Sequence, residues 1–187
     1  IGYLIDAYGG EVPTVEKLRA MSGTRAAGGH TARPKVLSHG EIALAADIVG
    51  DDLPPEMAET VRQLMRQACI PFTNFESGLT GHSSGGNVIL CQNITAAVCA
   101  LTWGEACGAD GWETVVDNAC DEVRQYLRNG CDEQGFPYEG TGYGMEVMGF
   151  IFLFCHLLRA ARWHDDLLQS EPRMRLLPDA YQHMLLP

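Results

Sequence analysis

Two stretches of the chain, Asn87–Cys107 and Met145–Cys155, are apolar over most of their length and do not alternate with a period of two. Each is longer than an ordinary strand, so both read as interior helices. A helix buried on most sides must be surrounded by others, and the rest of the sequence supplies them. From Asp52, read as a cap, a helix runs through Pro54-Pro-Glu to about Cys69, with Met57, Val61, Leu64, Met65 and Ala68 on one face. Asp110-Gly-Trp-Glu113 reads as the cap of an amphipathic helix that runs to Arg128 and stops at Asn129-Gly130. Ser38-His-Gly-Glu41 fits a capping box before Ile42–Val49.

Pro13–Met21 reads as a short helix, while Gly23–Pro34 and Pro71–Gly86 read as loops. Leu167–Leu186 reads as helix interrupted by Pro172 and Pro178, with Asp165-Asp166 as a helix start. No strand of convincing length and no close repeat is visible. The expected class is all-α, with buried and amphipathic helices paired as hairpins into an α/α array or part of an α/α-toroid. Residues 1–36 would be a peripheral helix and loop, and 37–187 the core hairpins of one domain.

At 187 residues with 46% hydrophobic content, the chain can bury a real core and reads as soluble and globular. Its longest apolar run, Val147–Cys155, is shorter than the ~20 residues of a spanning helix, so no transmembrane segment is expected. The chain begins at Ile1 with neither Met nor a basic leader, so it reads as a piece of a longer protein without a visible signal peptide. A net charge of −11 argues against nucleic acid as a partner. Arg62/Arg66, Arg124/Arg128 and Arg159/Arg162 pair at helical spacing, mostly as solvated helix faces. Of the seven cysteines none forms Cys-x-x-Cys, and they read as small buried hydrophobes. No cluster has metal spacing, and no cofactor is implied.

Chemistry concentrates in Gly135-Phe-Pro-Tyr-Glu-Gly-Thr-Gly-Tyr-Gly144, which holds four glycines and three aromatics around Glu139. The segment presents Tyr143 at the start of a rigid apolar helix, which suits either a site or a tight packing corner. A second loop, Gly81-His-Ser-Ser-Gly-Gly-Asn87, precedes the other interior helix. Parallel inner helices of consecutive pairs would bring both loops to one rim. There the Asn87 amide can donate to a carboxylate, and the Tyr143 phenol can give or take a proton. Simpler roles stand beside these: Asn87 as an N-cap, Glu139 as cap of the helix that follows it, and His82 as an exposed loop residue. His156 reads as a satisfied core histidine, and His164 and His183 as exposed. Trp103, Trp112 and Trp163 read as packing residues before sugar platforms. Asn93-Ile-Thr95 matches a glycosylation sequon inside a helix read as buried.

The segment Asp132-Glu-Gln-Gly-Phe-Pro-Tyr-Glu-Gly-Thr-Gly-Tyr143, with Asn87 one hairpin upstream and the alanine-rich Thr95–Leu101, resembles the toroid domain of the heparinase II/III-like polysaccharide lyases. Tyr138-Glu-Gly-Thr-Gly-Tyr-Gly144 is also similar to a turn of the chondroitin and hyaluronate lyases. The resemblance spans about residues 43–187 and implies an incomplete α/α toroid, usually followed by a β-sandwich that this chain lacks. It implies β-elimination on a uronic-acid-containing polysaccharide, in a periplasmic or secreted setting. Asn87 would neutralise the uronate carboxylate and Tyr143 would act as acid, or as acid and base both, with His82 as a substitute base. Glu139, Tyr138 and Gln134 would bind substrate. The sequence departs from the family pattern at Val88 and Gln134, where histidines occur in other members. Two alternatives are a non-catalytic helical module binding carbohydrate or protein, and a toroid glycoside hydrolase pairing Glu139 with Glu76 or Asp132.

Overall fold

The computed structural model describes residues 11–12, 32–69 and 87–185. Among them every regular element is helical. Helix α1 spans Ala32–Val49, α2 Pro55–Leu64, α3 Asn87–Cys107, α4 Trp112–Asn129, α5 Thr141–Ala160, α6 Leu167–Ser170 and α7 Leu177–Leu185. Short 3-10 turns lie at Gly50–Asp52 and Pro172–Arg175, and α2 runs on into a π-helical turn, Met65–Cys69. The expected Pro13–Met21 helix, most of the Gly23–Pro34 loop and the Pro71–Gly86 loop, with His82 and Glu76, lie outside the described residues.

Helix α3 is the hub. It packs most extensively against α4 and α1, and also against α5 and the turn after α2. Ile89, Leu90, Cys91, Ile94, Ala96, Ala97, Val98, Cys99 and Ala100 are all buried, so its apolar surface is covered on every side. Helices α3 and α4 form a hairpin through Gly108–Gly111. Gly104 lets it close: a Cβ there would lie 2.5 Å from Trp112 Cγ, so the indole seats directly on the helix backbone. The Trp103 indole is buried and donates to the Ala43 carbonyl at 3.0 Å, fixing α1 on α3 as a core residue rather than a sugar platform.

Several expected helix starts are corrected. Ser38-His-Gly-Glu41 lies inside α1, which begins at Ala32 and therefore straddles the expected boundary at residue 37. Pro34 is tolerated because it falls in the first turn, where a missing N–H costs nothing. Asp52 sits in a 3-10 turn, and the residue before α2 is Pro54, with no side-chain cap. Asp110 does not cap α4; Gly111 precedes that helix in the left-handed region, at φ 71°. Asp166 does cap α6, accepting from the Leu168 N–H.

Helix α5 buries Gly144, Val147, Met148, Ile151, Phe154, Cys155 and Leu158 and leaves its other face open. His156 lies on that open face, exposed rather than in the core, because the helix is covered on one side only. By length and composition α5 passes as long and apolar enough to cross a membrane, one such helix among the described residues. The sequence count stopped at Val147–Cys155, whereas the helix extends to Thr141 and Ala160.

Cys91, Cys99, Cys107, Cys120, Cys131 and Cys155 are all buried. Burial pushes the Cys120 and Cys155 thiols up to about 12, so they stay protonated and inert as nucleophiles. The paired arginines engage the chain's own carboxylates. Arg62 meets Glu59 at 3.3 Å, Arg128 meets Glu171 at 3.7 Å and Arg159 meets Asp166 at 2.9 Å. Arg124 bridges Asp121 and Asp165, tying α4 to the segment before α6.

Two outcomes follow. In helix interiors Ala outranks Gly by up to ~1 kcal/mol. Gly149→Ala, where nothing lies within 4 Å of the new methyl, therefore raises the melting temperature. Gly144→Ala puts its methyl 2.3 Å from Pro137 Cγ and lowers it, at an overpacking cost of about 1–3 kcal/mol. Burial alone would raise the Asp165 carboxyl, but the Arg124 and Ser170 hydrogen bonds and the Arg124 charge hold it below the ordinary carboxylate value. A carboxyl depressed in the folded state stabilises the fold above its unfolded pKa, and that contribution is lost as pH falls through the folded value. Asp165→Asn removes it, so urea midpoints measured from neutral pH into the acid range fall less steeply than in the wild type.

Candidate functional site

Between α4 and α5 the chain makes a closed hairpin rather than a mobile loop. Cys131 and Pro137 form an antiparallel bridge, and the Tyr138 N–H donates to the Gly130 carbonyl at 2.8 Å. Asp132 holds the tip, its Oδ1 accepting from the N–H groups of Gln134 at 2.9 Å and Phe136 at 2.8 Å. With one oxygen that side chain satisfies two turn amides, a structural duty at the hairpin tip. Gly135, at φ 89°, has a backbone that only glycine adopts cheaply, and a Cβ there would also sit 2.9 Å from Leu176 Cβ. Gly140, at φ 86°, turns the chain into α5.

This hairpin points Pro137 inward and Tyr138 outward. Tyr138 is 70% exposed and Tyr143, in the first turn of α5, is 51% exposed. Glu139 lies between them and reaches across 52 residues of sequence: its Oε2 accepts from the Asn87 backbone N–H at 2.9 Å. The start of α3 therefore meets the hairpin at Asn87, while residues 81–86 of the loop before it lie outside the described residues. Glu139 does act as a helix cap, but for α3 rather than for the helix that follows it. The carboxylate sits where the α3 N-terminus presents unsatisfied N–H groups and positive dipole. Asn87 itself is 4% exposed, so its backbone is the joint and its side chain lies beneath the surface.

Of the other expected residues, Gln134 lies at the hairpin tip and lines a pocket of about 320 Å³ with Phe136, Asp179 and His183. Tyr143 and Asn87 are not among that pocket's residues. Among the described residues no group of three His, Cys, Asp or Glu side chains could hold a metal. His164 is exposed as expected, but it pairs with Asp117 at 3.2 Å and stacks beside Trp163. Trp163 donates to the same carboxylate and tilts against Trp112.

One residue below the rim gave no signal in the sequence. Tyr126, on α4, is wholly buried, and its hydroxyl has no oxygen or nitrogen partner among the described residues. Burial, with Cys131, Glu139 and Cys91 nearby, drives its phenol well above the usual value, so it remains protonated. A tyrosine inside an amphipathic stripe reads as core packing, and only the three-dimensional placement sets it near Glu139.

If the Glu139–Asn87 contact holds the rim together, Glu139→Ala costs about 1–2 kcal/mol of stability, the usual range for losing a helix cap. Glu139→Gln keeps an acceptor and costs less. Guanidinium denaturation followed by circular dichroism ranks them, and an unchanged midpoint for Glu139→Ala would show that the contact does not hold the rim.

Compared with known proteins, the chain matches no family model, no curated protein and no solved structure at a significant level.

Proposed function

We propose that this chain is the helical, toroid-type domain of a glycan-acting protein, and that the rim of Asn87, Tyr138, Glu139 and Tyr143 receives a uronic-acid polysaccharide for β-elimination. The observation that supports this reading is the Asn87 N–H to Glu139 contact at 2.9 Å, which joins the start of α3 to the glycine-rich hairpin that leads to the exposed Tyr143. In the reaction, neutralising the uronate carboxylate makes the C5 proton removable, because negative charge develops on that group in the transition state. The Asn87 amide, 4% exposed, would take that role only by turning outward; as placed, the positive end of α3 is what faces the rim. Tyr143 takes the C5 proton and gives it to the leaving glycosidic oxygen as the C4–O bond breaks and the C4=C5 double bond forms, and Tyr138 offers an exposed ring on which a pyranose can stack.

A second reading, a non-catalytic glycan-binding module on the same fold, is favoured by Glu139 itself. A uronate carboxylate seated about 5 Å from it meets a repulsion of about 3 kcal/mol at an effective dielectric of about 20. One amide hydrogen bond to a charged group returns about 1.5–3 kcal/mol, which only balances that cost. The positive end of α3 lowers the repulsion, and a neutral sugar avoids it.

The test is unsaturated-uronate formation, followed by ultraviolet absorbance, when the full-length protein meets a panel of uronate polymers. Tyr143→Phe lowers kcat by about 10²–10⁴, the usual worth of a general acid or base, with glycan affinity preserved. Binding without product on every polymer, indifferent to Tyr143→Phe, selects the non-catalytic module; neither binding nor product overturns both readings.

A further inference from the structure

The tip of the hairpin and helix α7 form a recess of about 320 Å³ between two parts of the chain that are locked together. Asp132 Oδ1 accepts from the Gln134 and Phe136 N–H groups, and the Asp132 N–H donates to the Phe136 carbonyl at 2.9 Å. Gly135 lies so near Leu176 that a Cβ there would stand 2.9 Å from the leucine Cβ, which seats the tip on the turn before α7. The Phe136 and His183 rings, with centroids 6.4 Å apart, add a second contact between the hairpin and α7. The recess is therefore preformed, as small-molecule sites usually are, and its volume falls within their range of about 300–1,000 Å³.

The lining selects the ligand. Half-buried Phe136 and Leu176, with buried Ala180, give the recess an apolar floor. Glu133 from the hairpin and Asp179 from α7 bring carboxylates to it from separate elements, beside Gln134 and His183. No Lys or Arg is among the lining residues, and neither carboxylate enters an ion pair among the described residues. Ionised carboxylates accept hydrogen bonds and donate none, so they seat a cation and repel an anion. The face of an aromatic ring such as Phe136 also attracts a cation, and the net charge of −11 draws one in. We propose that this recess binds a small organic cation, an ammonium group on a short apolar body. The body lies on Phe136 and Leu176, and the charge meets Glu133 and Asp179. Tyr138 and Tyr143 do not line the recess, so the inference stands apart from the glycan reading.

The test is calorimetric titration of the full chain at low salt with benzylamine, and with benzyl alcohol as its uncharged counterpart. Benzylammonium should bind about tenfold more tightly than the alcohol, the combined effect of two partly exposed charge pairs and a cation–π contact. Glu133→Gln and Asp179→Asn should each weaken it about threefold and together erase the preference over the alcohol. Glu113→Gln, at an exposed carboxylate that does not line the recess, should leave the affinity unchanged. If Asp179→Asn does not fold, as judged by circular dichroism, Glu133→Gln at the exposed tip carries the comparison alone. Binding should also shift the Gln134 side-chain amide and His183 imidazole signals in nitrogen-edited NMR spectra. An equal loss in Glu113→Gln would mean diffuse attraction to an acidic surface and would overturn the inference. So would equal affinity for the alcohol, or a wild-type chain that does not bind benzylammonium.

Discussion

A single carboxylate joins the parts of this molecule on which any function at the rim depends. Helix α3 is enclosed by α1, α4 and α5, so the N–H groups at its start have restricted access to water. A buried helix end without partners is costly, on the order of a lost hydrogen bond for each group. Glu139 Oε2, 2.9 Å from the Asn87 nitrogen, supplies a charged acceptor at the positive end of the helix. The same residue sits at the end of the hairpin whose tip Asp132 organises and whose exit Gly140 turns into α5. One contact therefore registers the start of α3, the hairpin and the first turn of α5. Tyr138 and Tyr143 are held out to solvent on either side of it.

The interior pays for this arrangement in polar groups. Gln92 and Asn93, buried on α3, each leave a side-chain oxygen unpartnered, as do Glu122 and Tyr126 on α4. Buried polar atoms are satisfied in the great majority of cases, and four along one hairpin form a concentration. Glu122 shows the physical consequence: burial, with Asp121 beside it, raises its carboxyl above the ordinary range, favouring the neutral form. The α3–α4 hairpin is thus held by its apolar and small residues, with the Trp112 indole seated on Gly104, while its polar side chains contribute little.

What was legible in the sequence followed from hydrophobic pattern. The all-α class, the extents of α3 and α4, the Asn129-Gly130 stop, the buried thiols and the Asp166 cap were all readable, because each rests on a local rule. Helix starts were not. Ser38, Asp52 and Asp110 carry the right side chains for caps, yet α1 continues upstream of Ser38, and Pro54 and Gly111 precede α2 and α4. A capping residue is a local preference of about 1 kcal/mol, easily overridden by packing. His156 was misplaced for a related reason: apolar composition shows that α5 is hydrophobic, but not that one face stays uncovered. The role of Glu139 was half legible, since a carboxylate near helix starts invites capping while the helix it serves lies 52 residues away. Tyr126 was illegible altogether.

Charge distribution sets the condition that any acidic ligand of the rim must meet. Arg62, Arg124, Arg128 and Arg159 are each paired with a carboxylate of this chain, on α2, α4 and the segments around α6. Their positive charge is largely balanced where they stand, and the chain remains at −11. Among the described residues, what an acidic ligand approaching Tyr143 would meet at this contact is the positive end of α3, part of which Glu139 already neutralises. Partial charges of that kind are strong only where water is excluded, since at an effective dielectric near that of water a unit pair at 4 Å is worth only about 1 kcal/mol. Among the described residues Tyr138 and Tyr143 stand exposed, with no wall facing them. Elimination chemistry at Tyr143 thus requires a second surface that covers the rim and excludes water, whereas stacking of a neutral sugar on Tyr138 does not.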